Sequence, residues 1–374
     1  MTINGQEFIR RFEAYCPQWL AEEGDPVGLH IGTLDKPVNN IMMTLDVRPE
    51  VVQEAIDKKV DLIVAKHPPI FRPIKRLTAD DPQNAMYLEL VKHDIAVYAA
   101  HTNMDIIWDG LNDWFCEMLG VAVDGYMTQT HVEGLKKLVV YVPEADAERM
   151  RQALGEAGAG EQGNYHHTSF SSNGQGRFTP NGKAKPAIGK LEQATIVSET
   201  RIEVLFPERR QEQVLQAMFA AHPYEEPAFD LFSLDNSPIT YGIGRVGNLS
   251  EPMAIEDFCQ LVKAVFELDG LRLVQPAVGA KNMVQRIAIC GGSGGNFYQD
   301  ALKNQADVYL TGDVYYHTAH DMQAHGLTVI DPGHNIERVC ITRFVEKMEA
   351  WKEELGWEVT FIPSVTNTNP FQYR

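Results

Sequence analysis

The sequence lacks any apolar run approaching the ~18 residues that span a bilayer. Its opening stretch, MTINGQEFIRRFEAYCPQWL, carries charges where a signal peptide needs an apolar core. A membrane-spanning or exported protein is therefore not expected. Cysteine is scarce: Cys16, Cys116, Cys259, Cys290 and Cys340 are scattered, odd in number and form no CxxC. That argues against a disulfide framework or a thiolate zinc site and fits buried thiols in a reducing compartment, so the chain reads as cytoplasmic. Positive charge is in deficit, with 33 Lys and Arg against 51 Asp and Glu and a formal net charge of -18. Proteins that grip phosphate backbones usually carry a basic face, so general nucleic-acid binding is not expected. The serines show no GxSxG elbow, which leaves Ser-His-Asp hydrolysis without support.

What is present is the profile of a globular α/β protein. At 374 residues the chain is long for one domain, and roughly two to three are expected. From about residue 40 apolar bursts alternate with amphipathic stretches. NIMMTLDV, DLIVAKH and IAVYAAHT read as strands; PEVVQEAIDKK, a segment around 82–93 and DGLNDWFCEMLG read as helices. This alternation implies parallel strands with helices on the sheet faces. The rhythm returns near the end, where QRIAIC, ADVYLTG and LTVIDPG read as strands and helices fall around 297–304, 316–325 and 335–352.

The middle differs. Residues 160–190, rich in Gly, Asn, Ser and Lys, suggest a solvated loop. A weak repeat flanks them: VVYVPEADAERMRQAL and EVLFPERRQEQVLQAM each give strand, Pro-Glu, then helix. With a further strand, PAFDLFSL, these units predict a ferredoxin-like α+β insert over 129–240. It interrupts a discontinuous α/β domain built from 1–128 and 241–374. The pair His166-His167 is expected on the surface, and HPYEEP (222–227) as a structural turn and subunit contact.

Ligands of parallel sheets collect outside the carboxyl ends of the strands. Three strand ends here deliver a histidine: His67 after LIVAK, His101 in HTNMD, and His334 in DPGHNIE. Asp105 and Glu337 follow the last two at spacings that share one side of a helix. Imidazoles and carboxylates without cysteine suit zinc, manganese or ferrous iron. Five candidate ligands exceed the needs of one open tetrahedral ion and could serve two ions ~3.5–4 Å apart. Pro68 and Pro69 would stiffen the turn that holds His67 outwards.

KHPPIFRPIKRL, HTNMD, YGIGRVG, GGSGG, YLTGD and DPGHNIE together resemble the dinuclear-metal-centre proteins of the Nif-three-like family, often labelled GTP cyclohydrolase I type 2. The resemblance covers nearly the whole chain. It implies metal contacts from His67, His101, Asp105, His334 and Glu337, with one or two divalent ions per chain, zinc foremost. It likens the middle, ending in AHPYEEPAFDLFSL, to the PII-like, CutA-like insert of longer members, and it implies a homo-oligomer in the form of a hexameric ring. One departure stands out: the family's commonest motif has two histidines before the proline, and here the first is Lys66. The residues leave several outcomes open: a weaker second metal site, one completed by water, an empty one, or a lysine charge aimed at an anionic substrate.

Two further segments carry chemistry. CGGSGGNF follows a strand and precedes a helix, so Gly292, Ser293, Gly294 and Gly295 could cradle a phosphate, although the stretch matches neither the Walker pattern nor the dinucleotide fingerprint. TGDVYYHTAHD carries Asp313, His317, His320 and Asp321 past another strand. Asp313 and His320 hold positions that are polar in the resembling family, and His320 could shuttle protons. The expected activity is metal-dependent hydrolysis by metal-activated water. The resemblance implies a nucleotide or other phosphorylated small molecule as substrate, with GTP-cyclohydrolase-type ring opening and formate release. The rival is a non-catalytic metal-binding regulator or scaffold whose PII-like insert senses an effector.

Overall fold

A computed structural model describes residues 3–372. The apolar bursts form strands because they are short, rich in β-branched residues and apolar on both sides. All four residues of Leu62–Ala65 and of Ala96–Ala99 are buried, the pattern of strands covered on both faces. They lie in a five-stranded sheet ordered Thr360–Pro363, Asn40–Thr44, Leu62–Ala65, Ala96–Ala99, Gly28–Ile31. The first four strands are parallel and the last is antiparallel.

A second sheet has six strands, ordered Arg272–Val274, Thr328–Asp331, Val308–Leu310, Met283–Ile289, Ile239–Ala254, Val121–Glu133. The second, third and fourth of these are mutually parallel. Ile41, Leu62 and Val64 of the first sheet share one apolar core with Ile287, Val308 and Ile330 of the second. Phe12, on the first helix Gly5–Tyr15, packs its ring 5.5 Å from that of Phe344 on the helix Val339–Leu355. Residues far apart in the chain thus fold together, and the carboxyl ends of both sets of parallel strands fall within one compact unit. That unit comprises residues up to Thr130 together with those from Tyr241 on.

The other compact unit is His131–Thr240. Its elements run Leu135–Pro143, Ala147–Glu156, Phe170–Phe178, Thr195–Pro207, Gln211–Ala221, Phe229–Ser233, a β-α-β-β-α-β sequence. The strands form one antiparallel sheet in the order Phe229–Ser233, Leu135–Pro143, Thr195–Pro207, Phe170–Phe178. Both copies of the repeat turn through a short 3-10 segment at Pro-Glu before their helix. Leu138, Val140, Ile202 and Val204 face Met150, Leu154, Val214 and Met218 in a separate core.

The expectation of a solvated loop over 160–190 needs correcting. Phe170–Phe178 is a strand, paired from Phe170↔Glu203 to Phe178↔Thr195. It is an edge strand with almost every side chain exposed, so backbone pairing holds it and no apolar alternation announces it. His166 is exposed beside Glu161. His222 is buried, with Nε2 bonded to the Tyr141 carbonyl and Nδ1 accepting from the Tyr224 N–H, which is a structural turn. All five cysteines are buried and unpaired. Among the described residues no helix is long and apolar enough to cross a membrane.

Candidate metal centre

The strand Leu62–Ala65 extends its ladder past its last residue. Lys66 N–H donates to the Thr44 carbonyl and His67 N–H to that of Leu45. Successive side chains on such a segment diverge: Lys66 turns into the protein and is 1% exposed, whereas His67 stays half-buried. His101 follows Ala96–Ala99 and caps the short helix Thr102–Ile106. His334 opens a 3-10 segment, His334–Arg338. Its three residues per turn bring His334 and Glu337 to the same side. Gly333 precedes it at φ +83, a left-handed turn that glycine adopts without strain. Its N–H donates to the buried Asp331.

Three donor atoms converge. Nε2 of His67 lies 2.9 Å from Oε2 of Glu337 and 3.2 Å from Nε2 of His334, and the last two atoms are 3.3 Å apart. A tetrahedral ion with bonds of ~2.0–2.1 Å to nitrogen and oxygen has ligand–ligand edges of ~3.3 Å. The other ring nitrogens are committed. Nδ1 of His67 sits 2.7 Å from Asp46 Oδ1, and Nδ1 of His334 sits 2.7 Å from Asp313 Oδ2. Once a cation displaces the proton at Nε2, each ring, with Nδ1–H donated to a carboxylate, would turn its Nε2 lone pair towards the point where the two rings and Glu337 meet. Such a set of facing acceptors fits a cation, and the carboxylate–histidine pairs are the usual support of metal-binding imidazoles. The His67–His334–Glu337 cluster could therefore hold a metal ion.

His101 carries the same support, its Nδ1 lying 2.7 Å from Asp25 Oδ1. Its ring centre is 5.7 Å from that of His67, against 5.0 Å for His334. Thus His101 flanks the trio. Asp105 flanks it too: its Oδ2 takes the Lys66 ammonium at 3.0 Å, and its buried Oδ1 has no hydrogen-bond partner. The same ammonium is 3.8 Å from Glu337 Oε2. The structure thus brings together His67, His334 and Glu337 of the five expected ligands and sets His101 and Asp105 beside them. Lys66, one of the alternatives for an anion contact, is itself buried against Asp105 and Glu337.

Charge within the centre follows from this sharing. Burial works against the Lys66 ammonium, but Asp105 and Glu337 outweigh it and raise its pKa. Burial would raise Glu337, yet Lys66 and the bonds from His334 and His67 hold its carboxyl well below the usual range. For Asp105 burial prevails over the Lys66 charge and raises the carboxyl. Burial opposes charge on His334 as well, but bonding to Glu337 and Asp313 lifts its pKa to about 9. At Asp25, Asp46 and Asp313 burial is overcome by hydrogen bonds from His101, His67 and His334 respectively, with Ser293 also donating to Asp313, and each carboxyl is lowered.

The glycine-rich loop packs over this cluster. A Cβ on Gly292, where φ is +63, would come 2.9 Å from Glu337 Oε1 and 3.6 Å from His334 Nε2. Gly294 N–H donates to Thr311 Oγ1, and the Ser293 hydroxyl donates to Asp313. The loop's described bonds thus run into the protein, and Gly294 has no N–H to spare for a phosphate. Asp313 orients His334. His320 is exposed, its ring edge-on to Tyr316 at 4.8 Å, and among the described contacts none joins it to the cluster.

Two buried residues tie the parts together. Asn112 donates to the Asp105 carbonyl and accepts from Gly291 N–H, linking the Asp105 helix to the glycine loop. Arg245, from YGIGRVG, forks onto Asp113 at 2.8 Å on both arms and donates to the carbonyls of Ile106, Ile107, Gly242 and Gly244. Sequence reasoning missed Asp25 and Asp46. The only visible signal was an acid close to an apolar strand, as in TLDV.

The profile of the family described as Duf34/NIF3 (NGG1p interacting factor 3) matches residues 3–370. A Bacillus subtilis protein named GTP cyclohydrolase 1 type 2 homolog is 43% identical over 372 residues, covering 100% of this chain and 99% of its own. A Listeria innocua protein of the same name is 44% identical over 373 residues, with the same coverage. The crystal structure of a Bacillus cereus protein related to NIF3 superposes with a TM-score of 0.87 at 41% identity, covering 100% of both chains. With the family profile spanning almost all of it and such relatives aligned end to end, the chain belongs to the Duf34/NIF3 family.

Proposed function

We propose that this chain is a metal-dependent hydrolase that binds a divalent ion, zinc foremost, through His67, His334 and Glu337. The observation that carries the reading is the convergence of those three acceptors within 3.3 Å of one another, with both outer imidazole nitrogens tied to carboxylates. Three protein ligands suit a catalytic ion, which keeps a position open, whereas structural zinc is closed by four. Such an ion supplies Lewis acidity and makes water acidic enough to ionise near neutral pH. The protein's own part is then positional. Asp46 and Asp313 fix the rings, Gly292 leaves the approach over Glu337 clear of side chains, and Asp105 is equipped to accept a proton. Burial raises that carboxyl, and its Oδ1 is uncommitted. The relatives' name supports a purine nucleoside triphosphate as substrate. Water would add at the imidazole carbon of guanine, the ring would open, and a second water would release formate.

The β-α-β-β-α-β order and antiparallel sheet of His131–Thr240 support a ferredoxin-like, PII-like module interrupting the metal domain. One observation favours the non-catalytic reading, in which this module senses an effector. It contains a cavity of about 650 Å³ lined by Tyr141, Asn173, Arg177, Glu199, Arg201 and Tyr224 among others. A hexameric ring, proposed from the resemblance, is checked by light scattering on the purified protein.

The deciding experiment is to purify the protein without chelator, count metal per chain, and assay GTP and other nucleotides for formate and ring-opened product. Metal-dependent formate release, lost on chelation and in Glu337→Gln, supports the hydrolase. A fully metallated protein that turns over no phosphorylated substrate moves the assignment to the regulator.

A further inference from the structure

Lys66 is sealed in the centre yet is no metal ligand while it carries a proton. Its backbone is locked by the N–H bond to Thr44, its side chain is 1% exposed, and its Nζ lies between two carboxylates, 3.0 Å from Asp105 Oδ2 and 3.8 Å from Glu337 Oε2. Glu337 Oε2 is also the atom approached by His67 and His334. One carboxylate oxygen therefore faces the proposed ion on one side and the ammonium on the other. A second ion that shared Glu337 Oε2 with the first and took Asp105 Oδ2 would compete with Nζ, which already lies within 4 Å of both oxygens. A buried ammonium is unfavourable unless paired with anions, and here two carboxylates pair it.

We propose that the Lys66 ammonium stands in place of a second cation, so that this chain carries a single-ion centre completed by a fixed lysine charge. The inference rests on the metal reading above and deepens it. Two positive centres cannot share the gap between Asp105 and Glu337, because charges at such separations repel strongly in a medium poorer in water than bulk solvent. The ammonium donates to Asp105 Oδ2 at hydrogen-bond length, longer than the ~2.0–2.2 Å of a zinc–carboxylate bond. It thus offsets one of the pair's two negative charges without tying either carboxylate to an exchangeable ion. A histidine at the same position would remove the charge and supply a neutral nitrogen, which is what a second ion needs.

The test is metal stoichiometry and spectroscopy, with no dependence on activity. Chelator-free wild type and Lys66→His are loaded with excess Mn²⁺, freed of unbound ion, counted by mass spectrometry and examined by electron paramagnetic resonance. Wild type is expected to bind one ion per chain with the six-line signal of isolated Mn²⁺, and Lys66→His to approach two with an exchange-coupled signal. Two ions in wild type, held for instance by His101 and Asp105 Oδ1, would overturn the lysine proposal and leave the metal reading standing. No ion in wild type overturns both. A Lys66→His protein with native circular dichroism that stays at one ion also counts against the proposal. Where that variant fails to fold, the wild-type count and signal decide alone.

Discussion

The Nε2 atoms of His67 and His334 stand 3.2 Å apart although 267 positions separate the two residues in the chain. Their outer nitrogens both end on aspartates, Asp46 and Asp313. The rings are thereby aimed before any ligand arrives.

Removing one of those props should loosen the ion without disturbing the fold. Asp46→Ala is expected to lower metal affinity by about 10–100-fold, the usual effect of losing a carboxylate behind a ligating histidine. Competition with a chromogenic chelator measures it. An affinity within twofold of wild type would mean that His67 does not ligate.

Proton and metal compete for the same lone pairs, and the sign can be worked out at His334. Its pKa rises from ~6.5 in an unfolded chain to about 9 in the metal-free fold. In metal-free protein its contribution to stability is fully present below ~6.5 and is lost as pH climbs through about 9. Metal binding displaces that proton, so affinity should increase over the same interval. The difference in melting temperature between metal-loaded and chelated protein should widen from pH 6.5 to 9; a constant difference contradicts the arrangement.

Arg245 is fully buried and answers to Asp113 and four carbonyls, two of them just beyond Asp105. Arg245→Leu leaves those acceptors unpaired and should cost about 3–5 kcal/mol, the range for breaking a buried ion pair. Urea unfolding reads the loss directly. A change below about 1 kcal/mol would show that water replaces the guanidinium without penalty.

Gly292→Ala tests the floor of the centre. Left-handed backbone costs a non-glycine residue roughly 1–2 kcal/mol, and the new methyl would press on Glu337 Oε1 at 2.9 Å. Both stability and metal affinity should fall. Unchanged affinity in a destabilised protein would separate the loop from the ion.

The strand-and-helix rhythm was legible because parallel strands buried on both faces are continuous apolar runs, as in LIVA and AVYA. The three histidines were legible because they follow such runs. The aspartates behind them were not, since Asp25 and His101 lie 76 positions apart and no local pattern joins them. The burial of Lys66 was not legible for a physical reason: lysine is almost always exposed unless paired, and both its partners come from distant segments. Phe170–Phe178 went unseen because an edge strand with exposed side chains leaves no trace in hydrophobicity. The helix expected over 335–352 divides into a 3-10 segment and Val339–Leu355, and that division lets His334 meet Glu337.

Because Glu337 is the meeting point of His67, His334 and Lys66, a ribosome must add some 270 residues after His67 before that shared carboxylate exists. During synthesis Lys66 and His67 wait, without Glu337, while the His131–Thr240 unit emerges. The His67–His334–Glu337 cluster is consequently complete only once Glu337 has been made, and a product truncated before it would lack the trio.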